Sequence, residues 1–117
     1  MKDHLSEVIP AELRAKAIFA DREHVFPYPE VIDVIQIATQ HGIAVLGVES
    51  FEVQPDGVKV DQMSDYEVLF TGEWEPFVEL NNSYALDFVR RNPRCEDHGF
   101  ILTATSRSEF DNLHRGT

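Results

Sequence analysis

The stretch between Tyr28 and Val60 constrains the fold of this chain more than any other. Pro29 suits the first turn of a helix, where a missing N–H costs nothing. Val31, Val34, Ile35 and Ala38 then recur at i, i+3, i+4, i+7, and Ile32 widens the apolar stripe. Glu30, Asp33, Gln36 and Gln40 fall on the opposite arc. Gly42, after His41, is a residue that can stop the helix in the left-handed region. Residues 43–48 are almost all apolar, as a strand covered on both faces should be. Gln54-Pro55-Asp56-Gly57 is a run of turn residues. The pattern predicts a helix over 29–41, a strand over 43–54 and an antiparallel return over 58–62.

Along that first strand one face reads Ile43, Val45, Gly47, Glu49, Phe51, Val53. Glu49 interrupts it. Either a bulge near Gly47 shifts the phase, or Glu49 sits at a rim. Glycine inside a strand favours the bulge.

The remaining chain carries weaker signals. Residues 1–7 read as a mobile start, and Pro10 opens a helix over 11–19, with Leu13, Ala17 and Phe19 facing the core. Residues 21–25 read as a polar connector. A third strand is expected over 66–70, with Tyr66, Val68 and Phe70 on one side and Glu67 and Leu69 on the other. Glu73-Trp74-Glu75-Pro76 reads as an acidic loop, followed by a short strand over 77–80. Asn81, Asn82 and Ser83 are good N-caps for a helix over 84–91, which Arg90, Arg91 and Pro93 help to end. A strand over 99–105 follows. Ser106 and Glu109 have capping-box spacing for a last helix over 106–114. The sum is α+β: a single domain in which three or four helices pack on an antiparallel sheet of four or five strands.

A chain of 117 residues is long enough for one core and too short for two. It has no apolar run long enough to span a bilayer and no apolar signal-peptide segment near Met1. Its single cysteine, Cys95, rules out an internal disulfide framework. These features lead us to expect a cytoplasmic protein. The net charge is −11, and residues 42–89 hold ten acids against the one base Lys59, or −9. Such a field repels nucleic acid and anionic lipid and attracts a cationic partner. An acidic surface can also serve solubility alone.

Catalytic signatures are missing from this pattern. There is no G-x-S-x-G, P-loop, G-x-G-x-x-G or H-E-x-x-H, and the chain is expected to need no cofactor. Cys95 and His98 form one isolated pair, whereas a zinc site needs about four ligands. Glu96 and Asp97 would raise the Cys95 pKa, which weakens it as a nucleophile. Asp65, Glu67, Glu73, Glu75 and Glu79 are numerous enough for acid–base work, but their loop and edge placement makes a solvated face the simpler reading. Trp74, set between two glutamates and before a proline, is either an interface anchor or a core residue closing one end of the sheet.

Phe26-Pro27-Tyr28-Pro29-Glu30 through Val53, with Trp74-Glu75 and residues 81–93, resembles the small acidic bacterial immunity proteins that neutralise toxins. That resemblance implies a cytosolic, non-catalytic inhibitor covering the substrate site of a basic, nuclease-like toxin. It is a likeness of size, charge and fold class. The expected function is therefore to bind a basic protein through Asp65, Glu67, Glu73, Trp74, Glu75 and Glu79. The alternatives are a self-associating structural or accessory domain, pairing as a homodimer through an open sheet edge, and a small carboxylate enzyme.

Overall fold

Helix α3 (Glu30–Gln40) and strand β3 (Ala44–Gln54) meet at a tight junction that organises the molecule. Gly42 has φ +68°, the left-handed stop its position predicts. The Ile43 N–H reaches the Ala38 carbonyl at 2.8 Å and the Gly42 N–H reaches that of Thr39 at 3.2 Å. Together these bonds form a Schellman motif. Ile43 and Ala38 are buried in one cluster, so the chain leaves the helix already committed to the core.

The computed structural model describes residues 4–20, 23–55, 57–91 and 98–115. Ahead of α3 come α1 (His4–Val8), α2 (Ala11–Lys16), β1 (Ile18–Ala20) and β2 (Glu23–Pro27). After β3 come β4 (Gly57–Met63), α4 (Trp74–Arg90), β5 (His98–Thr105) and α5 (Arg107–Arg115). The strands form one antiparallel sheet in the order β1-β2-β5-β3-β4. The fold is α+β, as the sequence predicts. β4 pairs with β3 from Gln54↔Gly57 to Glu49↔Met63, the expected hairpin.

The bulge near Gly47 is present. Against β5, Val45 pairs with Ala104 and Gly47 with Thr103, which leaves Leu46 as the extra residue. Its consequence is a change of face. Val45 and Val48, three apart, both join the main core with Ile43, while Ala44 and Phe51 enter other clusters. Glu49 is half-buried.

The main core is built from α1 (Leu5), Ile9, α3 (Val31, Val34, Ile35, Ala38) and α4 (Ala85, Phe88, Val89), packed on Phe26, Val45, Val48 and Phe100 of the sheet. Val25, Phe51 and Ile101, alternating with those sheet residues, form a small cluster of their own. Among the described residues no helix is long and apolar enough to cross a membrane.

Several expectations fail, each because tertiary packing overrides a local signal. Residues 4–8 are helical rather than a mobile start, because Leu5 and Ile9 have a core to enter. The helix from Ala11 stops at Lys16, and Ile18–Ala20 pairs with Glu23–Pro27, so residues 23–25 of the expected polar connector belong to a strand, its residues 21–22 lying outside the described residues. Residues 66–70 are not a strand. Trp74–Pro76 of the expected loop, the strand at 77–80 and the caps at Asn81, Asn82 and Ser83 are all one continuous helix, α4, with Glu73 at its N-cap. Pro76 is compatible with that start, because first-turn N–H groups have no helical acceptor in any case.

Candidate functional site

Residues 63–84 hold five of the acidic residues and no Lys, Arg or His. Structurally they are the end of β4, an extended segment over 64–73, and the first turns of α4. The segment runs beside β3 without becoming a strand. Its side chains, rather than its backbone alone, satisfy that edge. The Ser64 N–H donates to the Val48 carbonyl at 2.8 Å, and Ser64 Oγ accepts the Val48 N–H at 2.8 Å. The Tyr66 hydroxyl donates to the Val45 carbonyl at 2.6 Å. Burial pushes the Tyr66 hydroxyl pKa well above its ordinary value.

The Val45 N–H is taken from the other side of the gap. Asn82 Oδ1 accepts it at 2.7 Å, while Asn82 Nδ2 donates to the Ile43 carbonyl at 3.0 Å and to Thr39 Oγ1 at 2.8 Å. The Thr39 hydroxyl in turn donates to the Ile35 carbonyl at 2.8 Å. One buried amide thus ties α4 to the α3–β3 junction. Asn81 is also buried, its Nδ2 donating to the Phe77 carbonyl at 2.8 Å. Two consecutive asparagines inside a helix look like breakers in sequence. Here they have tertiary or i−4 partners that hold them in place.

The sequence-predicted residues separate into two groups. Asp65, Glu67, Glu73, Glu75 and Glu79 are exposed, and none has an ion-pair partner among the described residues. Glu73 occupies the N-cap position of α4 and Glu75 its first turn, where negative charge suits the helix dipole. Trp74 lies elsewhere. Its indole is 9% exposed, Nε1 donates to the Gly42 carbonyl at 2.7 Å, and the ring packs with Phe77 and Phe110 at centroid distances of 5.4 and 5.5 Å. The expected projecting anchor is a core residue that fastens the start of α4 to the helix stop at Gly42. The exposed ring beside it is Phe70, 6.4 Å away.

Sequence reasoning missed what accompanies the carboxylates. Among the described residues the large apolar side chains left exposed are Met63, Leu69, Phe70, Leu80 and Tyr84, ranging from 40% for Phe70 to 81% for Leu69. All lie in the same acidic stretch. Tyr66 stacks on Tyr84 at 5.5 Å and Phe70 meets Phe77 edge-on at 5.4 Å, so the segment runs antiparallel to α4 along its flank. Leu69 shares the outward side with Asp65 and Glu67, as the two-residue alternation predicts even without a strand. The available signal was that alternation, which set Leu69 facing outward with no reason for an apolar residue there.

No known protein family, curated protein or solved structure matches this chain. Among the described residues no three His, Cys, Asp or Glu side chains converge as metal ligands would. Cys95, Glu96 and Asp97 lie outside the described residues. A shallow depression bounded by His41, Trp74, Ser106, Arg107 and Asp111 adjoins the aromatic cluster, and Arg107 there lies 3.8 Å from Asp111.

Proposed function

We propose that this protein is a non-catalytic binding protein whose acidic face, Asp65, Glu67, Glu73, Glu75 and Glu79, engages a basic protein partner. One observation carries the reading: exposed carboxylates and exposed large apolar side chains are concentrated in the same 22-residue stretch, 63–84, which contains no base. Solubility accounts for the acids but not for the apolar groups among them, which expose hydrophobic area at a cost to solubility. The likeness to immunity proteins adds a specific form, inhibition of a basic toxin by covering its substrate site.

The reading is tested by affinity capture from the source cell at low and moderate salt, with the native chain and with Glu73→Lys/Glu75→Lys. Both positions are exposed, and because they sit at the N-terminus of α4 the variant is first checked by circular dichroism to be folded. The expected result is a basic protein held by the native chain, released by salt and lost with the reversal. Identical captures by both chains would sink the proposal. Sedimentation at working concentration checks the self-associating alternative, in which β4, an edge strand of the sheet, pairs between copies.

A further inference from the structure

Long-range attraction requires only charge, yet Leu69, Phe70, Leu80 and Tyr84 remain exposed beside the carboxylates. They lie on two neighbouring rails, the extended segment and α4, aligned by the Tyr66–Tyr84 and Phe70–Phe77 contacts. Leu80 and Tyr84 are one turn apart on α4. The backbone of α4 is committed to its own hydrogen bonds, so along that rail a ligand meets side chains only.

A second copy of this chain is a poor occupant. Face to face, it would set five carboxylates against five, with no base in either stretch, on chains that each carry −11. Phosphate-bearing surfaces meet the same repulsion.

We propose that the ligand of this surface is a basic amphipathic helix. Its apolar stripe covers Leu69, Phe70, Leu80 and Tyr84, and its flanking Lys and Arg residues meet Asp65, Glu67, Glu73 and Glu79. The assignment rests on the reading above and narrows it from any cationic partner to one that also buries apolar area. The two parts of the contact differ in their response to salt: ion pairing weakens as salt rises, while apolar burial persists.

The experiment is calorimetric titration of the native chain with three tryptophan-free probes. The first is a Leu/Lys peptide of about five turns, ~18 residues, with helical periodicity. The second is the same composition scrambled to leave no apolar face, and the third is an oligolysine of equal charge. The sole tryptophan, Trp74, sits beside Phe70, and its emission reports occupancy of the site. The amphipathic peptide is expected to bind and shift Trp74 emission. It should keep measurable affinity at about 0.5 M salt, where charge pairing is screened beyond a few ångströms and oligolysine is released. Leu69→Ser and Leu80→Ser should each weaken it roughly tenfold, while leaving low-salt oligolysine binding unchanged. Both side chains are exposed, so neither variant depends on refolding the core. Equal binding of the periodic and scrambled peptides overturns this inference and leaves the cationic-partner reading standing. Absence of binding by all three probes at low salt overturns both. Unchanged affinity in both leucine variants overturns the placement of the ligand.

Discussion

Asn82→Ala should be the most damaging single polar substitution in this protein. The side chain is 2% exposed and makes three hydrogen bonds, to the Val45 N–H, the Ile43 carbonyl and Thr39 Oγ1. Alanine leaves the Val45 N–H without its acceptor at a fully buried residue, a penalty of about 1–3 kcal/mol. The bonds to Ile43 and Thr39 add roughly 0.5–1.5 kcal/mol each. The total is about 2–6 kcal/mol, a large fraction of the ~5–15 kcal/mol that holds a domain folded. Urea unfolding followed by far-ultraviolet circular dichroism measures it, with the slope m expected to stay constant. Thr39→Val removes one shared bond and should cost about 1 kcal/mol. Because both variants break the Thr39–Asn82 bond, the double variant should cost less than the two single losses combined. A loss below about 1 kcal/mol for Asn82→Ala would show instead that α4 is held by apolar packing alone.

Three further outcomes follow from the geometry. Gly42→Val should cost about 1 kcal/mol or more in the same assay, because φ +68° strains a β-branched residue; the space itself is adequate, the nearest side-chain atom, Trp74 Nε1, being 3.7 Å from an added Cβ. Ser50→Ala should be neutral or stabilising by up to about 1 kcal/mol, since Ser50 Oγ is the one buried side-chain polar atom without a hydrogen-bond partner among the described residues; a clear loss of thermal stability would contradict that. Tyr66 has a folded pKa raised above its unfolded value of about 10, so its contribution is complete below that pH and fades as pH climbs beyond it. Stability of the native chain should therefore fall more steeply above about pH 10 than that of Tyr66→Phe, and equal slopes would reject the assignment.

What the sequence determined by itself is the unit from α3 to β4. Its instructions are local: a 3.6-residue apolar period, a glycine at the helix stop, a nearly continuous apolar strand and a turn. Each acts within a few residues, and all agree. The Gly47 region likewise announced a bulge through one residue with no side chain. The capping of α5 was legible for the same reason: the Glu109 N–H reaches Ser106 Oγ at 3.3 Å across three positions. The alternation along 65–69 also survived, since Tyr66 and Val68 turn inward while Glu67 and Leu69 turn outward, but it ends at Phe70, which is 40% exposed.

Only the tertiary structure decided α4 and, through it, the candidate site. Asn81, Asn82 and Pro76 are poor helix residues by propensity, and Glu73-Trp74-Glu75 reads as a loop. The helix forms because its other face buries Trp74, Phe77, Val78, Ala85, Phe88 and Val89, and because Asn82 finds acceptors and donors 37 to 43 residues away. The same packing takes Trp74 out of solvent and leaves Leu69, Phe70, Leu80 and Tyr84 in it. Which of two apolar residues is covered depends on what lies opposite, and that information is held in contacts distant along the chain.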